Sequence, residues 1–234
     1  MKNSGGKVEG KRGLLITVEG VHGSGKSTLL RMLFIALKRL GLNVILTSDQ
    51  AGTKLSRKIR KINLERNSNI DVITEALLVA AASRQNISEI IKHGLSQGQI
   101  VLCERYCYDA YFAFHEYARG LSKKFVEFII SLISEGITPD LTILLDADPK
   151  TALTRLNSKR LHRIEKETLE FHIRVREDYL IRAQKYPERI KIINANLPIN
   201  EVFEKAWKIV REFLIQRGFK ISKVQQSVMM NFKG

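Results

Sequence analysis

Eight residues near the start of the chain have the types and spacing of a phosphate-binding loop. The run Gly20-Val21-His22-Gly23-Ser24-Gly25-Lys26-Ser27 matches G-x-x-x-x-G-K-[ST]. Its glycines let backbone N–H groups turn towards a phosphate, and a helix start adds partial positive charge. Lys26 would reach the β- and γ-phosphates, and the Ser27 hydroxyl would hold Mg²⁺. We assign a nucleoside triphosphate site to Gly20, His22, Gly23, Ser24, Gly25, Lys26, Ser27 and Thr28.

The sequence on either side of this loop supports the same interpretation. Residues 14–18 are apolar and rich in β-branched types, as in a buried parallel strand. Residues 28–40 place leucine and phenylalanine at helical spacing. A strand before the loop and a helix after it distinguish a phosphate-binding loop from a chance glycine-rich turn.

Two further groups of charged residues could act on phosphates. Glu104 and Arg105 follow an apolar strand, 99–103, where a carboxylate could hold Mg²⁺ and a guanidinium could bridge donor and acceptor phosphates. The basic segment 158–166 has the composition of a lid that excludes water and neutralises charge, with Arg160 and Arg163 as candidate catalytic groups. A solvated basic loop is the alternative interpretation of that segment.

Strand patterns alternate with helix patterns along the whole chain. The predicted strands are 14–18, 43–47, 99–103, 141–146 and 189–193. This alternation predicts one α/β domain, 13–218, with a five-stranded parallel sheet, flanked by helices on both faces and with a small lid at 158–166. Ligands of such sheets bind at the carboxyl ends of the strands, so the loops found there should converge on one cleft. We expect a flexible tail at 1–12 and another at 219–234.

The composition is that of a globular protein with excess positive charge. The chain of 234 residues has 44% hydrophobic residues and a formal net charge of +15, which suits a protein that handles phosphates. Cys103 and Cys107 lack nearby histidines, so we interpret them as buried free thiols. No apolar run approaches about 18 residues, so we expect no membrane span and a cytoplasmic location.

Taken together, these motifs resemble the thymidylate kinases, nucleoside monophosphate kinases of the P-loop class. Residues 16–20 and 25–28 are similar to the family's opening, and Glu104-Arg105-Tyr106 stands where the family has Asp-Arg-Tyr. The run 139–149 resembles the strand before the family's lid. The resemblance covers residues 14–218 and implies the three-layer sandwich of P-loop NTPases.

The resemblance also implies an activity and roles for particular residues. It implies ATP and Mg²⁺ as cofactors, transfer of the γ-phosphoryl group to a nucleoside monophosphate (dTMP being the first expectation) and a homodimer. Ser27 and Glu104 are the expected metal ligands, and Lys26, Arg105, Arg160 and Arg163 the expected catalytic residues. Substrate binding is assigned to Glu19, Arg60, Arg84, Arg105 and Tyr106.

The departures from the family pattern are on the acceptor side. His22 replaces a common acidic residue, and Gln50 lies in a loop where the family has Arg-Glu-Pro-Gly-Gly-Thr. Ala80 falls where a phenylalanine usually stacks on thymine, and residues 107–114 replace a serine-rich run. The donor half of the site therefore matches the family, while the acceptor half differs.

The sequence is compatible with two other functions. The acceptor could be another deoxynucleotide, a deoxynucleoside or a polynucleotide end, because the departures lie where the acceptor should bind. A non-catalytic, nucleotide-regulated protein that binds nucleic acid is the alternative of another class, given the net charge of +15. We do not expect nucleic acid as a partner, because the basic residues are scattered and no recognised nucleic-acid module is present.

Overall fold

A five-stranded parallel sheet forms the centre of the protein. The computed structural model describes residues 12–65, 68–156 and 161–221. The sheet order is β2-β3-β1-β4-β5, and all its pairings are parallel. The fold class predicted from the sequence is confirmed, and each strand lies within one residue of its predicted position. The strands are β1 (Leu14–Glu19), β2 (Val44–Ser48), β3 (Ile100–Glu104), β4 (Leu141–Asp146) and β5 (Ile190–Asn194).

Helices cover both faces of this sheet. Side chains alternate along β1, so Leu14, Ile16 and Val18 join one buried cluster while Leu15 joins another. Among the described residues, no helix is long and apolar enough to cross a membrane. The α-helices are α1 (Lys26–Arg39), α2 (Lys54–Asn63), α3 (Val72–Asn86), α4 (Lys92–Ser96), α5 (Cys107–Tyr111), α6 (Lys123–Ser134), α7 (Pro149–Thr154), α8 (Leu169–Lys185) and α9 (Ile199–Gln216).

Two helical stretches contain π-helical segments. The stretch 72–96 consists of α3, a π-helix at Ile87–Ile91 and α4. A second π-helix, Phe112–Ala118, continues directly from α5. Hydrophobic spacing does not separate the two helix types, because both place apolar residues on one face within a turn.

Three residues just outside the predicted domain bounds contact the domain. Arg12, assigned to the N-terminal tail, forms an ion pair with Asp140 at 3.2 Å. Phe219 and Ile221, assigned to the C-terminal tail, pack against the core cluster that includes β1 and α9. The remaining tail residues, and Arg160 in the predicted lid, lie outside the described residues.

Candidate active site

The phosphate-binding loop closes tightly against the carboxyl end of β4 and against α7. Gly20, Gly23 and Gly25 have φ angles of 136°, 77° and 94°, in the region that favours glycine. A Cβ atom on Gly20 would lie 2.5 Å from the Leu145 carbonyl oxygen, and one on Gly23 would lie 2.0 Å from the Ala152 carbonyl oxygen. Both the backbone conformation and the packing therefore require glycine at these positions.

Lys26, the first residue of α1, folds back over the loop. Its side chain is buried, and its Nζ donates a hydrogen bond of 2.7 Å to the carbonyl oxygen of Val21. Burial, together with the positive charge of Arg105, lowers the pKa of Lys26 to about 7. No side chain caps the start of α1. An ammonium group and uncapped helix amides that surround a glycine loop fit an anionic polyphosphate.

Ser27 and Glu104 lie together beside this loop. The Ser27 hydroxyl donates a hydrogen bond of 2.8 Å to Glu104 Oε2, which joins the start of α1 to the end of β3. Oxygen donors of these two kinds fit Mg²⁺, which usually takes one or two protein oxygens together with phosphate oxygens and water. Within the described ranges, no cluster of three or more His, Cys, Asp or Glu side chains could hold a metal by itself.

Two arginines face the same end of the cleft. Arg105, just after β3, has a φ of 61° and donates a hydrogen bond of 3.2 Å to the Gly20 carbonyl oxygen. Its guanidinium lies 4.8 Å from the centre of the Phe114 ring. Burial lowers the pKa of Arg60, which is near enough to Glu104 and Arg105 to be affected by their charges. The structure therefore brings Arg60 and Arg105 together with the loop.

A cleft extends from these arginines between α2, α3 and the α5 region. The space inside it, including the part open to solvent, is about 720 Å³. Its lining includes charged, polar and apolar side chains: Asp49, Arg60, Asn63, Glu75, Val79, Arg105, Tyr111, Phe114, His115 and Ile164.

Glu19 and Tyr106 are not at the surface of this cleft. Both are fully buried, and Glu19 accepts hydrogen bonds from the Tyr106 amide at 2.7 Å and from the Tyr179 hydroxyl at 2.6 Å. Burial, together with the charge of Asp109, raises the pKa of Glu19 to about 8. These residues therefore fix the turn that carries Arg105, and a contact of either residue with substrate stays a prediction.

Arg84 also lies away from the cleft. Its guanidinium pairs with Glu135 and donates a hydrogen bond of 3.4 Å to the Ile133 carbonyl oxygen, on the α6 side of α3. The preceding residue, Ser83, faces the cleft side and donates a hydrogen bond of 2.7 Å to Asp49. The apolar residue that lines the cleft is likewise Val79 rather than Ala80. On α3 the structure thus directs Ser83 and Val79, rather than Arg84 and Ala80, towards the cleft, and a substrate contact of Arg84 stays a prediction.

Arg163 holds the lid segment against the far end of the cleft. Its guanidinium is 2.5 Å from Glu75 Oε2 and donates a hydrogen bond of 3.3 Å to the Asn63 carbonyl oxygen. Glu75 also pairs with Arg119 at 3.0 Å, and Arg119 pairs with Glu167 at 2.7 Å. We call these four residues, Glu75, Arg119, Arg163 and Glu167, the lid clamp. Arg163 is therefore paired with Asn63 and Glu75 in this structure, and its role at the transferred phosphoryl group stays a prediction.

His22 connects the phosphate-binding loop with the lid. Its Nδ1 lies 3.5 Å from Glu165 Oε1, and its ring meets Phe114 edge-on with 5.8 Å between centroids. Burial lowers the pKa of His22 to about 3, and the positive charge of Arg105 contributes in the same direction. The ring is therefore neutral near pH 7 and offers a phosphate no charge.

Three cleft residues had no assigned role in the sequence analysis. Asp49 and His115 each have a buried polar atom, Oδ1 and Nδ1, without a hydrogen-bond partner in the described part of the chain. Glu75 is buried within the lid clamp. The sequence offers little indication of these roles, because the residues that they contact are distant along the chain.

The sheet order, the phosphate-binding loop and the Ser27–Glu104 pair together define a P-loop NTPase fold. A family model described as thymidylate kinase matches residues 18–206. The chain belongs to the thymidylate kinase family.

Individual thymidylate kinases match this chain over most of their own length. The thymidylate kinase of Clostridium novyi (strain NT) is 38% identical over 198 residues, covering 83% of this chain and 96% of that protein. That of Caldanaerobacter subterraneus subsp. tengcongensis is 35% identical, covering 90% and 100%. The crystal structure of thymidylate kinase from Ehrlichia chaffeensis has a TM-score of 0.70 at 28% identity, covering 86% of this chain and 99% of that one.

Proposed function

We propose that the protein transfers the γ-phosphoryl group of ATP to dTMP and forms dTDP. The observation that carries this proposal is one continuous cleft with two different ends. Arg60 and Arg105 lie with His22 of the phosphate-binding loop in its lining, and Val79, Tyr111 and Phe114 give the same cleft an apolar and aromatic wall. Membership of the thymidylate kinase family supports dTMP as the acceptor.

The residues of the loop fit ATP and Mg²⁺. Lys26 and the amides at the start of α1 would hold the β- and γ-phosphates, and Ser27 with Glu104 would hold the metal ion. When bound, ATP supplies the phosphoryl group and Mg²⁺ supplies positive charge at its β- and γ-oxygens. Arg160, in the predicted lid beyond the described residues, stays our proposal for a further catalytic arginine.

The side chains of the cleft act by position and charge. An ionised phosphate oxygen of the acceptor is already nucleophilic, so no side chain has to remove a proton from it. Arg105 lies between the loop carbonyl of Gly20 and the cleft, where its guanidinium can contact both donor and acceptor phosphates. Arg60 would hold the acceptor phosphate from α2. Binding both phosphates in line supplies most of the acceleration.

A coupled assay of ADP release tests this function directly. We expect turnover with dTMP in the presence of Mg²⁺, a smaller kcat/KM with dCMP, dAMP and dGMP, and no turnover of thymidine. Lys26→Ala should reduce kcat by at least about 10²-fold, since an electrostatic contact to the transferring group is lost. Absence of turnover with every monophosphate would refute the proposal, and turnover of thymidine alone would identify a nucleoside kinase instead.

We further propose that the protein works as a homodimer in the cytoplasm. Helices α3 and α6 carry four exposed apolar side chains: Ile73, Leu77, Phe128 and Leu132. Phe128 and Leu132 are 63% and 60% exposed, which is high for large apolar residues. A second copy of the chain that covers this surface would remove it from water. The two free, buried cysteines are consistent with a reducing compartment.

A further inference from the structure

A buried histidine with an unpaired ring faces the end of the cleft remote from the phosphate-binding loop. His115 lies in the π-helix after α5, is 3% exposed and lines the cleft. Its ring packs against Tyr111 with 4.6 Å between centroids, which restricts its orientation. Nδ1 is buried and makes no hydrogen bond among the described residues, although Glu75 Oε1 lies 3.8 Å from it. Nε2 likewise has no hydrogen bond within the described ranges, and an unpaired ring nitrogen in the wall of a cleft gains free energy when a ligand pairs with it.

The surroundings of His115 determine which of its ring nitrogens carries the proton. Burial lowers the pKa of His115 to about 4, although the nearby Glu75 carboxylate opposes this shift, so the ring is neutral near pH 7. Glu75 Oε1 lies 3.8 Å from Nδ1, which favours the proton on that nitrogen. Nε2 then carries the lone pair and can only accept a hydrogen bond.

The lid clamp keeps the Glu75 carboxylate charged and in place. Burial by itself would raise the pKa of Glu75, but the hydrogen bonds and charge of Arg119, with Arg163, lower it below its usual range. Arg119 contacts both carboxylate oxygens, at 3.2 Å and 3.0 Å. The carboxylate that directs the proton of His115 is therefore held from two sides.

We infer that His115 Nε2 selects the base of the acceptor nucleotide by accepting a hydrogen bond from a ring N–H. This inference rests on the proposed function and extends it to base specificity. Thymine and uracil present N3–H at their Watson–Crick edge, whereas cytosine presents a lone pair at N3. A lone pair directed at Nε2 would leave both atoms unpaired in a buried site, which disfavours dCMP. His115 is thus a specificity-determining residue for 2,4-dioxopyrimidine nucleotides.

Matched substitutions of His115 distinguish the contributions of its two ring nitrogens to base selection. His115→Asn retains a polar atom near the position of Nδ1 and removes Nε2, while His115→Gln extends an amide to the position of Nε2. His115→Leu removes both. For His115→Asn and His115→Leu, we expect the ratio of kcat/KM for dTMP to that for dCMP to fall about tenfold or more, through a higher KM for dTMP. His115→Gln should restore much of the dTMP turnover, and the KM for ATP should stay constant.

An unchanged ratio in folded His115→Asn and His115→Leu would overturn the inference. If those variants do not fold, the wild-type protein supplies the test through its affinity for 3-deaza-dTMP, in which C–H replaces N3–H. We expect the analogue to bind about tenfold more weakly than dTMP, and equal binding would overturn the inference. Failure of the proposed function has a different signature, since the wild-type protein would then not phosphorylate dTMP at all.

Discussion

Lys26 and Glu19 carry opposite charges in water but are both buried within one strand–loop–helix unit. The pKa of Lys26 is lowered to about 7 and that of Glu19 is raised to about 8, mainly because burial disfavours each charged form. Glu19 accepts hydrogen bonds from Tyr106 and Tyr179, whereas the hydrogen bonds of Lys26 Nζ within the described part of the chain go to oxygens of its own loop. Lys26 is therefore the group whose charge state should change most when a phosphate arrives.

We predict that ATP binding at pH 8 is accompanied by uptake of close to one proton per site. Lys26, with a pKa of about 7 in the free protein, is mostly neutral at pH 8 and becomes charged beside phosphate oxygens. At pH 6 the ammonium is already protonated, so this uptake should vanish. Titration calorimetry with Mg·ATP in buffers of different ionisation enthalpy measures the proton count.

The control for this measurement is a variant with a permanently charged side chain at position 26. Lys26→Arg keeps a group that stays charged at both pH values, so any residual ATP binding by this variant should show no proton uptake at pH 8. Equal proton uptake by the wild-type protein and Lys26→Arg would contradict the assignment to Lys26.

At the scale of elements, the contact between the loop after β2 and helix α3 shapes one wall of the cleft. A Cβ atom on Gly52 would lie 1.8 Å from Asn86 Oδ1 and 2.3 Å from Thr47 Oγ1. The Thr47 hydroxyl donates a buried hydrogen bond of 2.7 Å to that same Asn86 oxygen. The close approach of Gly52 therefore holds Asp49 against Ser83 on α3.

Gly52→Ala should push α3 away from this loop. We expect a loss of about 1–3 kcal/mol in the free energy of unfolding, from overpacking and disruption of the Thr47–Asn86 hydrogen bond. The KM for dTMP should rise while the KM for ATP changes little, since the phosphate-binding loop lies elsewhere. Denaturant unfolding and steady-state kinetics measure the two effects.

Gly41→Ala serves as the matched control for Gly52→Ala. Gly41 has a φ of 75°, and a Cβ atom there would meet nothing within 4 Å. This variant should lose about 1 kcal/mol of stability through backbone strain, with no change in either KM. A larger increase in the KM for dTMP for Gly41→Ala than for Gly52→Ala would contradict the role given to the Gly52 contact.

The elements and their order were predictable because each depends on nearby residues. Apolar runs bounded by glycine and charged residues indicated all five strands. The loop motif gave the position of Lys26 and Ser27 after β1, and the charged pair after β3 gave that of Arg105. The face of a helix is harder to predict, since one residue corresponds to a rotation of about 100°. That rotation separates Arg84, which pairs with Glu135, from Ser83, which faces the cleft.

The lid clamp shows why the far end of the site could not be predicted. Glu75 lies on α3, while Arg119 and Arg163 are 44 and 88 residues away along the chain. A single sequence contains many such charged residues, and their pairing depends on how whole helices pack. The basic composition of the segment around Arg163 indicated a lid, but not which acidic residue it would contact.

At the scale of the whole molecule, we predict that Phe128→Asp converts a dimer into a monomer. The substitution places a charge in the centre of the exposed apolar surface on α3 and α6, and a charge buried there without a partner is costly. Sedimentation analysis or light scattering measures the mass in solution. Ile215→Asp, which changes an exposed residue on α9, should leave the mass unaltered. A monomeric wild-type protein would refute the proposed dimer.

The π-helix at Phe112–Ala118 has a consequence for how the acceptor site can change over evolutionary time. A π-turn holds about one residue more than an α-turn, so a single insertion or deletion can create or remove it while the flanking elements stay in place. Removing one residue before His115 would rotate this side chain by about 100° around the helix axis. Base preference in such a protein can therefore be altered by the length of a segment, without any substitution at the residues that contact the base.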